Sequence, residues 1–180
     1  MEKAKPQFLK IGKDGLELEC FRFVARALSK DKTERRSHIK FLFITDDKRV
    51  LATDGKRLHT FVTAYEIESG FYEVVKNMKT SFIMIKSDSV AEYPDFEEVL
   101  DDTAHKTLMT GADDIGVFAT FAKIVRALPE TETISLDFIR DVLNFGSSFS
   151  MKWEVMIKNA ESGIIFKNDS CMAVVMALRT

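Results

Sequence analysis

The sequence predicts an α+β fold in which antiparallel sheet carries helices on one face. Three observations point there. Asp46-Asp47 and Asp54-Gly55 separate short apolar runs over residues 39–64, the pattern of a strand meander. Two segments, 20–31 and 117–128, repeat apolar residues at helical spacing. The order strand, helix, meander occurs toward both ends of the chain and predicts an internally duplicated strand-helix-strands unit, although no residue-level repeat is visible.

The elements follow in order. Residues 8–19 read as an opening hairpin turning at Asp14-Gly15. In CFRFVARALSKD, Phe21, Val24, Ala25 and Leu28 form an apolar stripe, with Arg22, Arg26 and Lys30 stacked beside it at intervals of four. IKFLFIT, KRVLAT and RLHTFVTA make a three-stranded meander, and FYEVVKN with SFIMIK a further hairpin. Pro94 marks an extended connector. The helix VFATFAKIVRAL turns Phe118, Phe121, Ala122, Val125 and Leu128 toward the core and Lys123 and Arg126 away, ending at Pro129. SLDFIRDVLNF is a third helix with Ser135 as its N-cap and Asp137 in its first turn. SMKWEVMIK alternates, burying Met151, Trp153, Val155 and Ile157, before the strands GIIFK and MAVVMAL.

With 180 residues and 46% hydrophobic composition, the chain has material for one ample core, so a single domain is expected over 1–180. Its first half covers residues 7–66, a connector and middle helix 67–129, and a second half 130–180. A net charge of −2 excludes a generally nucleic-acid-coating protein, and any DNA contact must be local. Cys20 and Cys171 match no metal or redox spacing, and Cys20 reads as core. No apolar run has signal-peptide or membrane-span length, so a soluble cytoplasmic protein with no membrane partner is expected.

Charge is unevenly spread. Between Arg22 and Lys40 stand seven basic residues against two acidic ones, whereas Ser87–Asp102 holds seven acidic residues and no Lys or Arg. Solvated faces explain most such runs. The stretch LATDGKRLHTF, residues 51–61, raises a sharper question, because it interrupts an apolar segment with Thr53-Asp54-Gly55-Lys56-Arg57. Turn chemistry accounts for Asp54-Gly55 but requires neither Thr53 nor Lys56-Arg57.

Three islands in this order resemble the bacterial DNA polymerase sliding clamp family. LATDGKRLHTF is similar to the family's central-domain meander. Tyr93-Pro94-Asp95-Phe96 with Val99-Leu100 is similar to the connector before its last domain. SLDFIRDVLNF with the terminal AVVMALRT resembles its closing helix and final strand. Family clamps have three domains per chain, so this one looks condensed. It has Lys56 where the family usually has His, Glu97 and Glu98 where cations are common, and Ala177 in place of the usual Pro.

The resemblance implies a DNA-clamp-like fold and two binding functions. The first is an apolar pocket for a short peptide motif of DNA polymerases or repair proteins, formed by Thr53, Gly55, Lys56, Arg57, Leu58, Pro94, Val99, Val174, Val175 and Met176, with Arg57 an exposed cation at its rim. The second is sequence-independent contact with double-stranded DNA through Arg22, Arg26, Lys30, Lys32, Arg35, Arg36, Lys123 and Arg126. So small a chain would encircle DNA only as a homo-oligomer joined head to tail by edge strands. A clamp-derived peptide-binding module that never encircles DNA is the alternative. No cofactor, metal site or catalytic residue is expected, since His38, His59 and His105 are scattered and no nucleophile elbow or phosphate loop occurs. A small hydrolase using Asp54 or His59 is the remote alternative.

Overall fold

Among the described residues, one antiparallel sheet of ten strands runs through the molecule, its strands following one another across the sheet as residues 8–11, 81–86, 70–78, 42–44, 49–53, 57–62, 171–176, 163–167, 153–158 and 105–112. The computed structural model describes residues 8–12, 15–31, 33–88, 92–100, 105–113, 115–145, 151–158 and 163–179. The sheet strands are β1 (Phe8–Ile11), β2 (Leu42–Ile44), β3 (Arg49–Thr53), β4 (Arg57–Val62), β5 (Gly70–Met78), β6 (Ser81–Lys86), β7 (His105–Ala112), β9 (Trp153–Lys158), β10 (Gly163–Lys167) and β11 (Cys171–Met176). A short ribbon pairs β8 (Glu132–Thr133) with β12 (Leu178–Arg179). The helices are α1 (Leu16–Ala25), α2 (Glu97–Leu100), α3 (Val117–Ala127) and α4 (Leu136–Leu143).

The expected meander forms as β2-β3-β4, turning at Gly55 with φ +83°, and its counterpart is β9-β10-β11. The last strand of each meander pairs with the other, Phe61 opposite Cys171 and Arg57 opposite Val175, so the two halves share a seam of backbone hydrogen bonds. Alternation along the seam divides the interior in two. Val50, Ala52, Phe61, Trp153, Phe166, Ala173 and Val175 join the larger core with Phe21, Phe23 and Val24 of α1 and Ile139 and Val142 of α4. Leu51, Leu58, Met156, Ile165 and Val174 face the other way, under Val99 and Leu100 of α2 and the connector residues Tyr93 and Phe96.

Three expectations are corrected. No opening hairpin forms: β1 pairs with β6, and α1 begins at Leu16, directly after Gly15 at φ +61°. Glu17 and Glu19 favour that helix start, and a Glu17 carboxylate oxygen accepts the Ala64 amide hydrogen and the Thr63 hydroxyl. Asp14 of the expected turn lies outside the described residues. Second, α1 ends at Ala25, so Arg26 caps it and Lys30 lies beyond it rather than in one helical row with Arg22. Third, α3 is rotated from the expected face. Val117, Thr120 and Ile124 are buried against β7 and α4, while Phe118 is 68% exposed and Val125 42%. Apolar residues occupy both sides of this helix, and packing rather than composition selects the stripe.

Candidate peptide-binding site

At the seam, three segments enclose a cavity of about 190 Å³. The turn and start of β4 supply Thr53, Gly55, Arg57 and Leu58, the connector and the α2 it leads into supply Tyr93, Pro94, Asp95, Phe96 and Val99, and β11 supplies Val174 and Met176. Leu58 and Val174 are buried in its floor, and the half-buried Met176 donates its amide hydrogen to the Lys56 carbonyl at 2.8 Å. Tyr93 stacks on Phe43, ring centroids 4.8 Å apart, and meets Phe96 edge to face. Burial pushes the Tyr93 phenol above the ordinary tyrosine pKa, so it stays neutral.

Local hydrogen bonds hold the turn. The Thr53 hydroxyl donates to the Arg57 carbonyl at 2.7 Å and accepts the Gly55 amide hydrogen, while Asp54 Oδ1 accepts the amide hydrogens of Lys56 and Arg57. This gives Thr53 a structural reason that turn chemistry alone left open.

All the expected pocket residues line the cavity except Lys56 and Val175. Val175 points into the larger core on the opposite face, as alternation with Val174 demands. Lys56 is exposed and instead borders a charged cavity with Lys30, Asp31, Glu34, Arg36 and Asp54. Tyr93, Asp95 and Phe96 were not expected in the lining. Their place beside Pro94 in the connector was the available signal.

Arg57 is corrected from an exposed rim cation to a buried link, 7% exposed. Its Nε donates to Asp54 Oδ2 at 3.1 Å, Nη1 to Asp141 Oδ2 at 2.7 Å and Nη2 to the Arg26 carbonyl at 2.7 Å. The guanidinium also lies over the Phe138 ring, 4.5 Å from its centroid. It therefore joins β4, the end of α1 and α4.

The cations expected to meet DNA do not form one row. Arg22 pairs with Glu19 and donates to Asn77. Arg26 donates to the Asp141 carbonyl at 2.7 Å, and burial lowers its pKa, an effect that nearby Asp141 opposes. Arg36 holds Glu34 through a side-chain bond and through its own amide, lowering that carboxylate to a pKa of about 2. Lys30, Arg35, Lys123 and Arg126 are exposed. Lys123 and Arg126 lie on α3, beside β7 at the far end of the sheet from α1. Lys32 lies outside the described residues.

Both residues named for the hydrolase alternative are engaged in holding the fold. His59 is fully buried, stacked on Phe23, with Nδ1 bonded to the Phe23 carbonyl at 2.9 Å, and burial lowers its pKa to about 3. Both Asp54 oxygens are occupied by the turn and by Arg57. Cys20 and Cys171, distant in sequence, meet across α1 and β11 with Sγ atoms 3.5 Å apart as free thiols. Among the described residues, no group of His, Cys, Asp and Glu could hold a metal ion, and no helix is long and apolar enough to cross a membrane.

No family model and no curated protein matches the sequence. Solved structures do match it. A DNA polymerase sliding clamp from Pseudomonas aeruginosa aligns with 99% of this chain and 69% of its own, at 13% identity and a TM-score of 0.62. The DNA polymerase III beta subunit of Thermotoga maritima aligns with 100% of this chain and 68% of its own, at 14% identity and a TM-score of 0.62. A C. crescentus beta sliding clamp gives 12% identity and a TM-score of 0.61 over 100% of this chain and 68% of its own. Across its whole described length, this chain has the fold of the bacterial DNA polymerase sliding clamps, in a divergent form.

Proposed function

We propose that this chain is a non-enzymatic, cytoplasmic clamp-like protein, a processivity factor or DNA-associated scaffold, that seats a short peptide of a DNA polymerase or repair protein in the cavity at the seam. The observation that carries this reading is the apolar enclosure itself. Leu58, Val174 and Met176 floor it, and Tyr93, Pro94 and Phe96 wall it, from three segments far apart in sequence. Such a cavity suits a segment with two apolar anchors, and the pliable Met176 adapts to their shape. The clamp-like fold supports the same reading, since it is the fold of proteins named as polymerase subunits.

DNA contact in this proposal rests on the exposed Lys30, Arg35, Lys123 and Arg126, with Arg22 a weaker contributor because Glu19 already holds it. Encirclement requires several copies. β1 and β7 are the outer strands of the sheet and would provide the pairing edges of a head-to-tail homo-oligomer. The second reading, a peptide-binding module that does not encircle DNA, is favoured by the internal engagement of Arg22, Arg26 and Arg36.

Titration of the labelled protein with a clamp-binding-type peptide, followed by NMR, tests the pocket. Saturable shifts at Gly55, Leu58 and Met176 are expected, with affinity reduced roughly tenfold or more by Met176→Ala, about 1.4 kcal/mol. Binding that ignores Met176→Ala would place the peptide elsewhere. Light scattering with and without duplex DNA separates the two readings: a strictly monomeric species in both conditions refutes the ring and leaves the module.

A further inference from the structure

On the same sheet face, across α2 from the seam cavity, lies a second and larger cavity of about 440 Å³. Its wall includes Arg49, Thr60, Val62, Glu97, Leu100 and the β10–β11 turn from Lys167 to Met172. Among the described residues, three that line this wall each carry a buried polar atom without a hydrogen-bond partner: Arg49 Nε, Thr60 Oγ1 and Asn168 Nδ2. Thr60 is only 5% exposed. The Asn168 amide cannot be turned to hide its nitrogen, because its Oδ1 already accepts the amide hydrogens of Ser170 at 2.9 Å and Cys171 at 2.8 Å. Its NH₂ must therefore be the unpaired end.

Unmade bonds on buried polar groups are costly, and three on one cavity wall need a common explanation. Two of the three, the Arg49 Nε–H and the Asn168 NH₂, are obligate donors, and the Thr60 hydroxyl can donate too. The Arg49 guanidinium is only loosely neutralised. Among the described residues its nearest carboxylate oxygens, on Asp47 and Glu97, stand at 3.6 and 3.8 Å, beyond hydrogen-bonding distance. Donors beside an incompletely paired cation select an oxyanion. The charged residues lining the cavity, Arg49 and Lys167 against Glu97 and Asp169, cancel in number, which disfavours a doubly charged phosphate and leaves a singly charged carboxylate. The remaining wall is apolar, with Leu100, Met172 and the 61% exposed Val62.

We propose that this cavity is a second binding site, for a carboxylate carried on a small apolar body. Arg49, Thr60 and Asn168 hold the carboxylate, while Val62, Leu100 and Met172 cover the body. The carboxylate comes either from a free small acid or from an acidic side chain next to an apolar residue in a partner segment. The site shares no lining residue with the seam cavity and does not depend on peptide binding there.

The test is NMR observation of the Arg49 Nε–H and Asn168 side-chain amide signals in the full-length protein. One arm adds 4-phenylbutyrate. A second adds a blocked peptide, acetyl-Leu-Phe-Asp-amide, and a control adds 4-phenylbutanamide, which keeps the apolar body without the charge. Saturable shifts of both signals with a carboxylate, and affinity at least tenfold lower for the neutral amide, are expected. Response to phenylbutyrate alone identifies a free acid as the source, and a stronger response to the peptide identifies a partner segment. Arg49→Lys, which keeps the charge and loses the Nε–H, should weaken binding by a similar factor, as should the nearly isosteric Thr60→Val. Equal binding of the amide and the acid overturns the proposal, as does saturation undiminished in both variants. The absence of any saturable shift with either carboxylate shows that water alone satisfies these donors and overturns it equally.

Discussion

Replacing Arg57 by alanine should destabilise the whole fold by about 3 kcal/mol, the low end of what breaking a buried ion pair costs. Three charge-assisted hydrogen bonds disappear at once, to Asp54, Asp141 and the Arg26 carbonyl, together with the contact over Phe138. At about 1.5–3 kcal/mol each, their naive sum is larger. It must be reduced because the Asp141 side chain is 45% exposed and regains water, whereas Asp54, 17% exposed, keeps the two amide hydrogens on its other oxygen. Urea denaturation followed by far-ultraviolet circular dichroism and by Trp153 fluorescence measures the change. Trp153 is the sole tryptophan and is fully buried, so it reports global unfolding. With a slope of about 2 kcal/mol per molar urea, the midpoint should fall by about 1.5 M at unchanged slope. A double-mutant cycle with Asp141→Asn should return a coupling of about 1 kcal/mol between the two halves. A loss below about 0.5 kcal/mol, the range of exposed substitutions, would refute the reading of Arg57 as a buried link.

Two further outcomes follow from the same geometry. His59 is held neutral, its folded pKa of about 3 lying below the ordinary 6.5, so the unfolded chain binds its proton first. The stability it contributes is complete above about pH 6.5 and is lost as pH falls toward 3, about 2 kcal/mol by pH 5 at 1.36 kcal/mol per unit; His59→Phe should flatten this slope, and an unchanged slope in urea melts at pH 7 and 5 would contradict it. Gly55→Ala should cost about 1 kcal/mol, because φ is +83° and the new Cβ would stand 2.9 Å from Arg36 Nη1. An unchanged midpoint would show that the turn relaxes freely.

The parts of the fold legible in the sequence were those in which local chemistry and packing agree. Asp54-Gly55 ends β3 with a turn few other pairs can make, and Pro129 stops the helix before it. Legibility failed where one local pattern serves two structures. Leu16-Glu17-Leu18-Glu19-Cys20 alternates like a strand, yet it is the start of α1, because Gly15 turns the chain and Glu17 finds Thr63 and Ala64 across the structure. On α3 the choice between Phe118 and Val117 as the inward residue is made by β7 and α4, elements that no local window contains. The candidate cavity was largely legible through resemblance, residue by residue. The burial of Arg57 was not, since its partners Asp141 and Phe138 lie more than eighty residues away.

The pairing of β4 with β11 also governs the order in which this molecule can be built. Arg57 and Val175 are opposite each other in the seam though well over a hundred residues separate them, and closing so long a loop is slow relative to forming hairpins such as β5-β6. During synthesis, the meander β2-β3-β4 therefore has an unpaired strand edge until β11 emerges and docks. The seam cavity does not exist before that moment, because Val174 and Met176 complete its floor. On the proposed function, a nascent chain is thus unable to capture a partner prematurely, and its exposed β4 edge is the surface at which misassembly between unfinished chains would begin.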